Sequence, residues 1–177
     1  MEIKLADKKI IIRKFNKSDL KNAKAFQAYV NALVKENAMI GLNEKVDMKG
    51  EREYLNNAVK KSKKKIHLVA MYDGSPVGAS NIILEKKVSS HIGTFGISIA
   101  KDYRGIGLGK KLMTEIIELA KKKLDPKPKI IQIKVYATNK PAIALYKKMG
   151  FKIVAKLPKQ VQYKGKLVDD FIMNKYL

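Results

Sequence analysis

Apolar positions recur along this chain with two periods, and the switches between them mark its elements. Lys9 to Phe15 (KIIIRKF) reads as a first strand. Ser18-Asp19 is an N-cap signal for a helix carrying Leu20, Ala23, Phe26, Ala28, Val30 and Leu33-Val34. Residues 38–50 read as an irregular connection and 51–64 as a second helix. Ile66 to Tyr72 and Pro76 to Leu84 form a strand pair around an Asp73-Gly74 turn. In Ile92 to Ile99, Phe95, Ile97 and Ile99 alternate with Thr94, Gly96 and Ser98, as in a half-buried strand.

A glycine-rich stretch then opens a helix over 107–123, with Leu108, Leu112, Ile116 and Leu119 on one face. Asp125-Pro126-Lys127-Pro128 ends it. Ile130 to Tyr136 is a strand, and Asn139 to Met149 a helix with Pro141 in its first turn and Gly150 just past its end. Phe151 to Leu157 and Val168 to Met173 are two closing strands around a Lys164-Gly165 turn. The sum is an α/β fold on a central sheet of mixed direction. With no internal repeat, low-complexity linker or Pro/Gly tract, residues 1–177 read as one domain.

Composition narrows the function classes. No apolar run approaches the roughly 20 residues of a membrane span, and the Lys-rich N-terminus is not signal-like, so a cytoplasmic protein without membrane association is expected. Without cysteine there is no thiolate nucleophile or thiolate metal site, and His67 and His91 are too few and too far apart for zinc, so no metal is expected. The 38 basic against 16 acidic residues, net +22, point to anionic partners. Nucleic acid is the less favoured of these. Only Arg13, Arg52 and Arg104 are arginines, and the lysines are spread along the whole chain, as in a solvated coat.

The most informative residues are Tyr103-Arg104-Gly105-Ile106-Gly107-Leu108-Gly109-Lys110, between a strand and a helix. The first amides of a helix lack intrahelical partners, and glycines let a backbone approach a phosphate closely. Arg104, Lys110 and Lys111 add positive charge. The turn is suited to a pyrophosphate. A P-loop is excluded because Lys111 stands where a Ser or Thr is required, and a Rossmann turn is excluded by the G-x-G-x-G spacing deep in the chain.

Arg104-x-x-Gly107-x-Gly109 resembles the acetyl-CoA signature of the GNAT N-acetyltransferase superfamily. Asn139 to Phe151 (NKPAIALYKKMGF) is similar to that family's second signature. The likeness covers about residues 66–157. It implies the GNAT fold, a mixed, mostly antiparallel sheet of about seven strands flanked by helices and splayed at a coenzyme-A cleft. It also implies that Arg104, Gly105, Ile106, Gly107, Leu108, Gly109 and Lys110 bind the pyrophosphate. Ile97, Ser98 and Ile99 would line the pantetheine, and Asn139 would hydrogen-bond it. Tyr146 would stand near the sulfur as general acid while an amine attacks the thioester directly.

Each residue also has a plainer reading. Arg104 could be a surface arginine, the glycines a turn, Asn139 an N-cap, and Tyr146 a core residue on the Ala142, Leu145, Tyr146, Met149 stripe. The general base stays open. Where relatives carry a glutamate this chain has Thr94, leaving Glu85, His91, the Asp169-Asp170 pair or a water relay. Glu36, Glu44, Asp47, Glu51 and Glu53 form an acidic group that either attracts an amine or is an ordinary charged loop. The acceptor is expected to be a small amine, an amino acid or a protein amine, and a homodimer is compatible with the sequence. The alternative function is a non-catalytic module of the same fold that binds nucleic acid or ribosome through its basic surface.

Overall fold

The computed structural model describes residues 1–177. Its elements are β1 (Glu2–Leu5), β2 (Lys8–Lys14), α1 (Lys17–Lys21), α2 (Ala23–Lys35), α3 (Met48–Val59), β3 (Lys65–Tyr72), β4 (Ser75–Leu84), β5 (Ile92–Ile99), α4 (Leu108–Lys123), β6 (Ile130–Tyr136), α5 (Lys140–Lys148), β7 (Lys152–Tyr163) and β8 (Lys166–Tyr176). They build one eight-stranded sheet in the order β1-β2-β3-β4-β5-β6-β8-β7, antiparallel except at β5–β6.

The expected α/β architecture is present with one strand more than the seven predicted. The addition, β1, is short and turns into β2 through Ala6 and Asp7, both at positive φ (44° and 62°). Neither is glycine, so the turn had no obvious signal. The first helix divides at Asn22 into α1 and α2, and the closing hairpin is longer than expected because Tyr163 pairs Lys166 across Lys164-Gly165. No helix is long and apolar enough to cross a membrane.

The sheet carries helices on both faces. On one, α4 buries Leu108, Leu112, Met113, Ile116, Ile117 and Ala120 against Leu68, Ala70, Ile82, Phe95 and Ile133. Fully burying a side chain of the Leu or Ile class contributes about 1.5–3 kcal/mol, so this helix anchors the centre of the sheet. On the other face α1 to α3 cover Val69 and Met71 with Phe26, Leu55 and Ala58, beside Phe15.

The β2-to-α1 corner is fastened electrostatically. The Arg13 guanidinium donates to both Asp19 carboxylate oxygens at 2.8 and 2.7 Å, and the Asn16 amide donates to the same carboxylate at 2.8 Å. Asp19 is 1% exposed, so removing it leaves the half-buried Arg13 guanidinium and the Asn16 amide without their acceptor. Asp19→Ala is expected to cost about 3–5 kcal/mol in chemical denaturation. A loss below about 1 kcal/mol, typical of an exposed pair, would show that this corner is solvated.

Candidate active site

The site begins where two strands part. β5 and β6 pair in parallel only at Ile92↔Ile130, Gly93↔Ile131 and Thr94↔Gln132. Beyond Thr94, β5 continues with β4 to Gly78↔Ile99, while β6 continues with β8 to Tyr136↔Asp170. The register fixes which backbone groups face the gap. The Glu85 amide donates to the Ile92 carbonyl and the Ala100 amide to the Val77 carbonyl, both at 2.9 Å. Residues 92 to 100 of even number therefore hydrogen-bond to β4, and beyond the last β5–β6 pair at Thr94↔Gln132 the backbone groups of Ile97 and Ile99 turn toward the missing neighbour. The Ile99 carbonyl is filled by Arg104 Nε at 2.9 Å, and both backbone groups of Ile97 remain available to an extended ligand.

The glycine turn sits past the end of β5. Gly105 and Gly107 have φ of 76° and 90°, a region that costs other residues about 1–2 kcal/mol, and Gly107 is the N-cap of α4. None of the amides from Gly105 to Lys110 donates within the protein, and the first helical bond is Lys111 N–H to the Gly107 carbonyl at 3.1 Å. Gly109 faces α5 closely enough that a Cβ would lie 3.2 Å from Leu145 Cδ2. Leu108 is fully buried, so only its backbone can serve a ligand, whereas Ile106 is half-buried and Lys110 exposed. Arg104 differs from the sequence expectation of a free cation. Its guanidinium pairs with Glu36 at the end of α2, so it ties the turn to that helix.

On the opposite side, Asn139 caps α5, its Oδ1 accepting from the Ala142 amide at 3.3 Å, and its side chain lines the cleft. Tyr146 is buried and its hydroxyl donates to no group of the protein. Burial pushes its phenol up to about 12, so it keeps its proton at neutral pH and is available there as a donor.

Behind these residues lies a cavity of about 910 Å³. Its floor is formed by β4 to β6, with Ser98, Tyr136 and Gly96, where a Cβ would come within 2.8 Å of Asn81 Oδ1. Its roof is α2 with the connection into α3, pinned by hydroxyls: Tyr29 donates to the Ser98 carbonyl at 3.0 Å, Tyr136 to the Ile40 carbonyl at 3.0 Å and Tyr163 to the Asn37 carbonyl at 2.8 Å. Asn31 brackets Val46 with bonds of 3.0 and 2.8 Å to its carbonyl and from its amide.

Two carboxylates face this cavity. Asp170 on β8 is 5% exposed and its Oδ1 has no partner. Glu51 on α3 is also 5% exposed, with no ion pair. Burial raises the pKa of both above the ordinary carboxylate value. Of the other base candidates, Asp169 pairs with Lys156 at 2.8 Å and accepts from the Lys159 amide. Glu85 is exposed, accepts from Thr94 Oγ1 at 2.6 Å and does not line the cavity, and neither does His91. No three His, Cys, Asp or Glu side chains converge.

Sequence reasoning passed over Tyr29 and the individual weight of Glu51. Tyr29 sits in α2 between Phe26 and Val30, in the helix's apolar stripe. Glu51 replaces an apolar residue in the Met48, Glu51, Leu55, Ala58 stripe of α3, and a carboxylate at such a position is the signal that was available.

A split mixed sheet with a glycine turn at the mouth of the split is the frame of an acyl-transfer fold. The acetyltransferase (GNAT) family model matches residues 31–151, and the chain belongs to that family. It is 35% identical over 107 residues to the L-amino acid N-acetyltransferase AaaT of Escherichia coli strain K12, a stretch covering 60% of this chain and 65% of that relative. The matched stretch thus spans just under two thirds of the relative. A GNAT acetyltransferase from Streptococcus pneumoniae superposes with a TM-score of 0.82 at 28% identity, over 95% of this chain and 99% of that one. Salmonella typhimurium yncA, solved with acetyl-CoA, shares the fold with a TM-score of 0.80 at 20% identity, over 95% and 94% of the two chains.

Two buried carboxylates without counter-ions oppose folding. A carboxyl whose pKa is raised by the fold binds its proton more tightly there than in the unfolded chain, so stability falls as pH climbs through the raised value. Glu51→Gln and Asp170→Asn should each raise the melting temperature at pH 7 by a few degrees, an advantage that shrinks toward pH 4. A lower melting temperature in both variants at pH 7 would mean that the carboxylates are paired.

Proposed function

We infer that this protein is an acetyl-CoA-dependent N-acetyltransferase that moves the acetyl group to a primary amine by direct attack in a ternary complex. The observation that carries the reading is the unbroken run of free amides from Gly105 to Lys110 at the mouth of the β5–β6 split. Six convergent donors at a helix N-terminus, two of the residues glycines at positive φ, suit a pyrophosphate. The unpaired edge of β5 suits an amide-bearing arm, with Ile97 pairing it as an added strand and the Asn139 side-chain amide meeting it from the other wall. Acetyl-CoA supplies the activated acetyl group as a thioester.

The chain's own residues supply the proton chemistry. An ammonium cannot attack, so the acceptor must first lose a proton, and Asp170 takes it directly or through a water. It is the one base candidate from the sequence that faces the cavity, and its raised affinity for protons fits it for the role. The amine nitrogen bonds to the acetyl carbon as the carbon–sulfur bond breaks, the Tyr146 hydroxyl gives its proton to the departing thiolate, and the surplus proton of the new amide nitrogen passes back to the Tyr146 oxygen through water. The acceptor is a small amine or amino acid, or a protein amine. The activity named for the E. coli relative supports the small-molecule side.

Isothermal titration with acetyl-CoA, CoA and ATP tests the reading. Micromolar binding of both acetyl-CoA and CoA is expected, with none of ATP. Gly107→Glu, which puts a side chain and a negative charge at the positive-φ N-cap, should abolish it. Failure of wild-type protein to bind acetyl-CoA would overturn the proposal.

A further inference from the structure

The proton chemistry above uses one of the two cavity carboxylates. Glu51 has no role in it, yet it is held on the inward face of α3 at a cost in stability. Its place in the fold is set apart from Asp170. α3 packs on α2 and β3, while Asp170 lies on β8, and β4, β5 and β6 run between them. The split edge of β5 is in that interval, so the two carboxylates stand on opposite sides of the point where the acceptor nitrogen must meet the thioester. The rest of the lining is mostly apolar, with Phe15, Phe26, Val30, Leu33, Met39 and Ile40 beside the polar Ser80, Asn81 and Ser98.

The cations on that lining do not balance these acids. Lys134 is the only lysine, it is exposed, and it forms no ion pair with Asp170 although it lies close enough to favour its charged form. Arg104, outside the lining, is neutralised by Glu36. Glu51 is bordered by Tyr54, which contributes no positive charge, and its helical neighbours Lys49 and Arg52 are exposed. A free amino acid would thus bring its own carboxylate into a cavity that already holds two and has no buried cation to receive a third. A molecule with two cationic nitrogens joined by an apolar chain matches each feature in turn.

Resting on the acetyltransferase reading, we propose that the acceptor is an alkyl diamine without a carboxylate, its reacting amine beside Asp170 and its second ammonium held by Glu51. The net charge of +22 does not oppose this at close range. Surface lysines are screened over about 8 Å at physiological ionic strength, whereas Glu51 meets its ligand inside the cavity at contact distance.

The test compares 1,5-diaminopentane, n-pentylamine and L-methionine as acceptors, following thiol release from acetyl-CoA. The diamine should exceed the monoamine at least tenfold in kcat/KM, with L-methionine below both. Glu51→Gln should bring the diamine-to-monoamine ratio close to one, chiefly by raising KM for the diamine, while acetyl-CoA affinity by titration stays at the wild-type value. Glu51→Asp, which keeps the charge, should retain part of the preference and guards against reading a folding defect as lost recognition. A preference for L-methionine, an equal rate for diamine and monoamine, or a ratio unmoved by Glu51→Gln would overturn the proposal and leave the acetyltransferase reading standing. Absence of acetyl-CoA binding by the wild-type protein would instead remove both.

Discussion

The structure depends on one interruption of backbone pairing. β5 and β6 share three register positions and then part, each kept in place by its other neighbour. Interior strands rarely forgo hydrogen bonds, because buried amides and carbonyls without partners cost free energy. Here the cost is limited because the gap opens to a cavity instead of closing on apolar side chains. The split sets the position of everything else. It leaves Ile97 with free backbone groups, places the glycine turn past the end of β5, and brings Asn139 and Tyr146 to the opposing wall through α5. Rigid packing on either side keeps it open, with α4 against β3 to β5 on one face and α2 and α3 on the other.

Charge is arranged against the background of the molecule. A coat of lysines surrounds a cavity whose buried ionisable groups are acidic, and the arginine nearest the ligand turn is spent on holding Glu36. An acid buried without a partner lowers stability, so its retention calls for a reason outside folding. In the mechanism and acceptor proposed above, Asp170 and Glu51 find that reason in an amine substrate, which arrives as a cation and must give up a proton. Tyr146 completes the set, since burial removes any tendency to ionise at neutral pH and leaves it a donor. On the proposed mechanism, acid and base functions are thus separated by environment.

The sequence made the catalytic frame legible because its requirements are local. A positive φ favours glycine, which marks Gly105 and Gly107, and a helix start favours a cap, which marks Asn139. The strand alternation in 92–99 and the helical stripe over 108–119 follow from the periods of the two structures. What was hidden depends on tertiary placement. Glu51 and Asp170 look like surface acids until burial is known, and nothing near Arg104 in sequence announces Glu36, 68 positions away. β1 escaped notice because four residues carry little periodic signal, and its turn uses Ala6 and Asp7 in place of glycine. Glu85 illustrates the converse. It lies beside Thr94, near the position where relatives hold a base, yet it accepts from the Thr94 hydroxyl and does not line the cavity.

The central claim is that the split and its turn form a single ligand track made of backbone donors. Residue-resolved amide hydrogen exchange, with and without saturating acetyl-CoA, addresses it most directly. The account predicts slowed exchange at Ile97, Ile99 and the amides from Gly105 to Lys110, with those of β3 unchanged. Protection absent from these positions, or spread evenly over the domain, would contradict it.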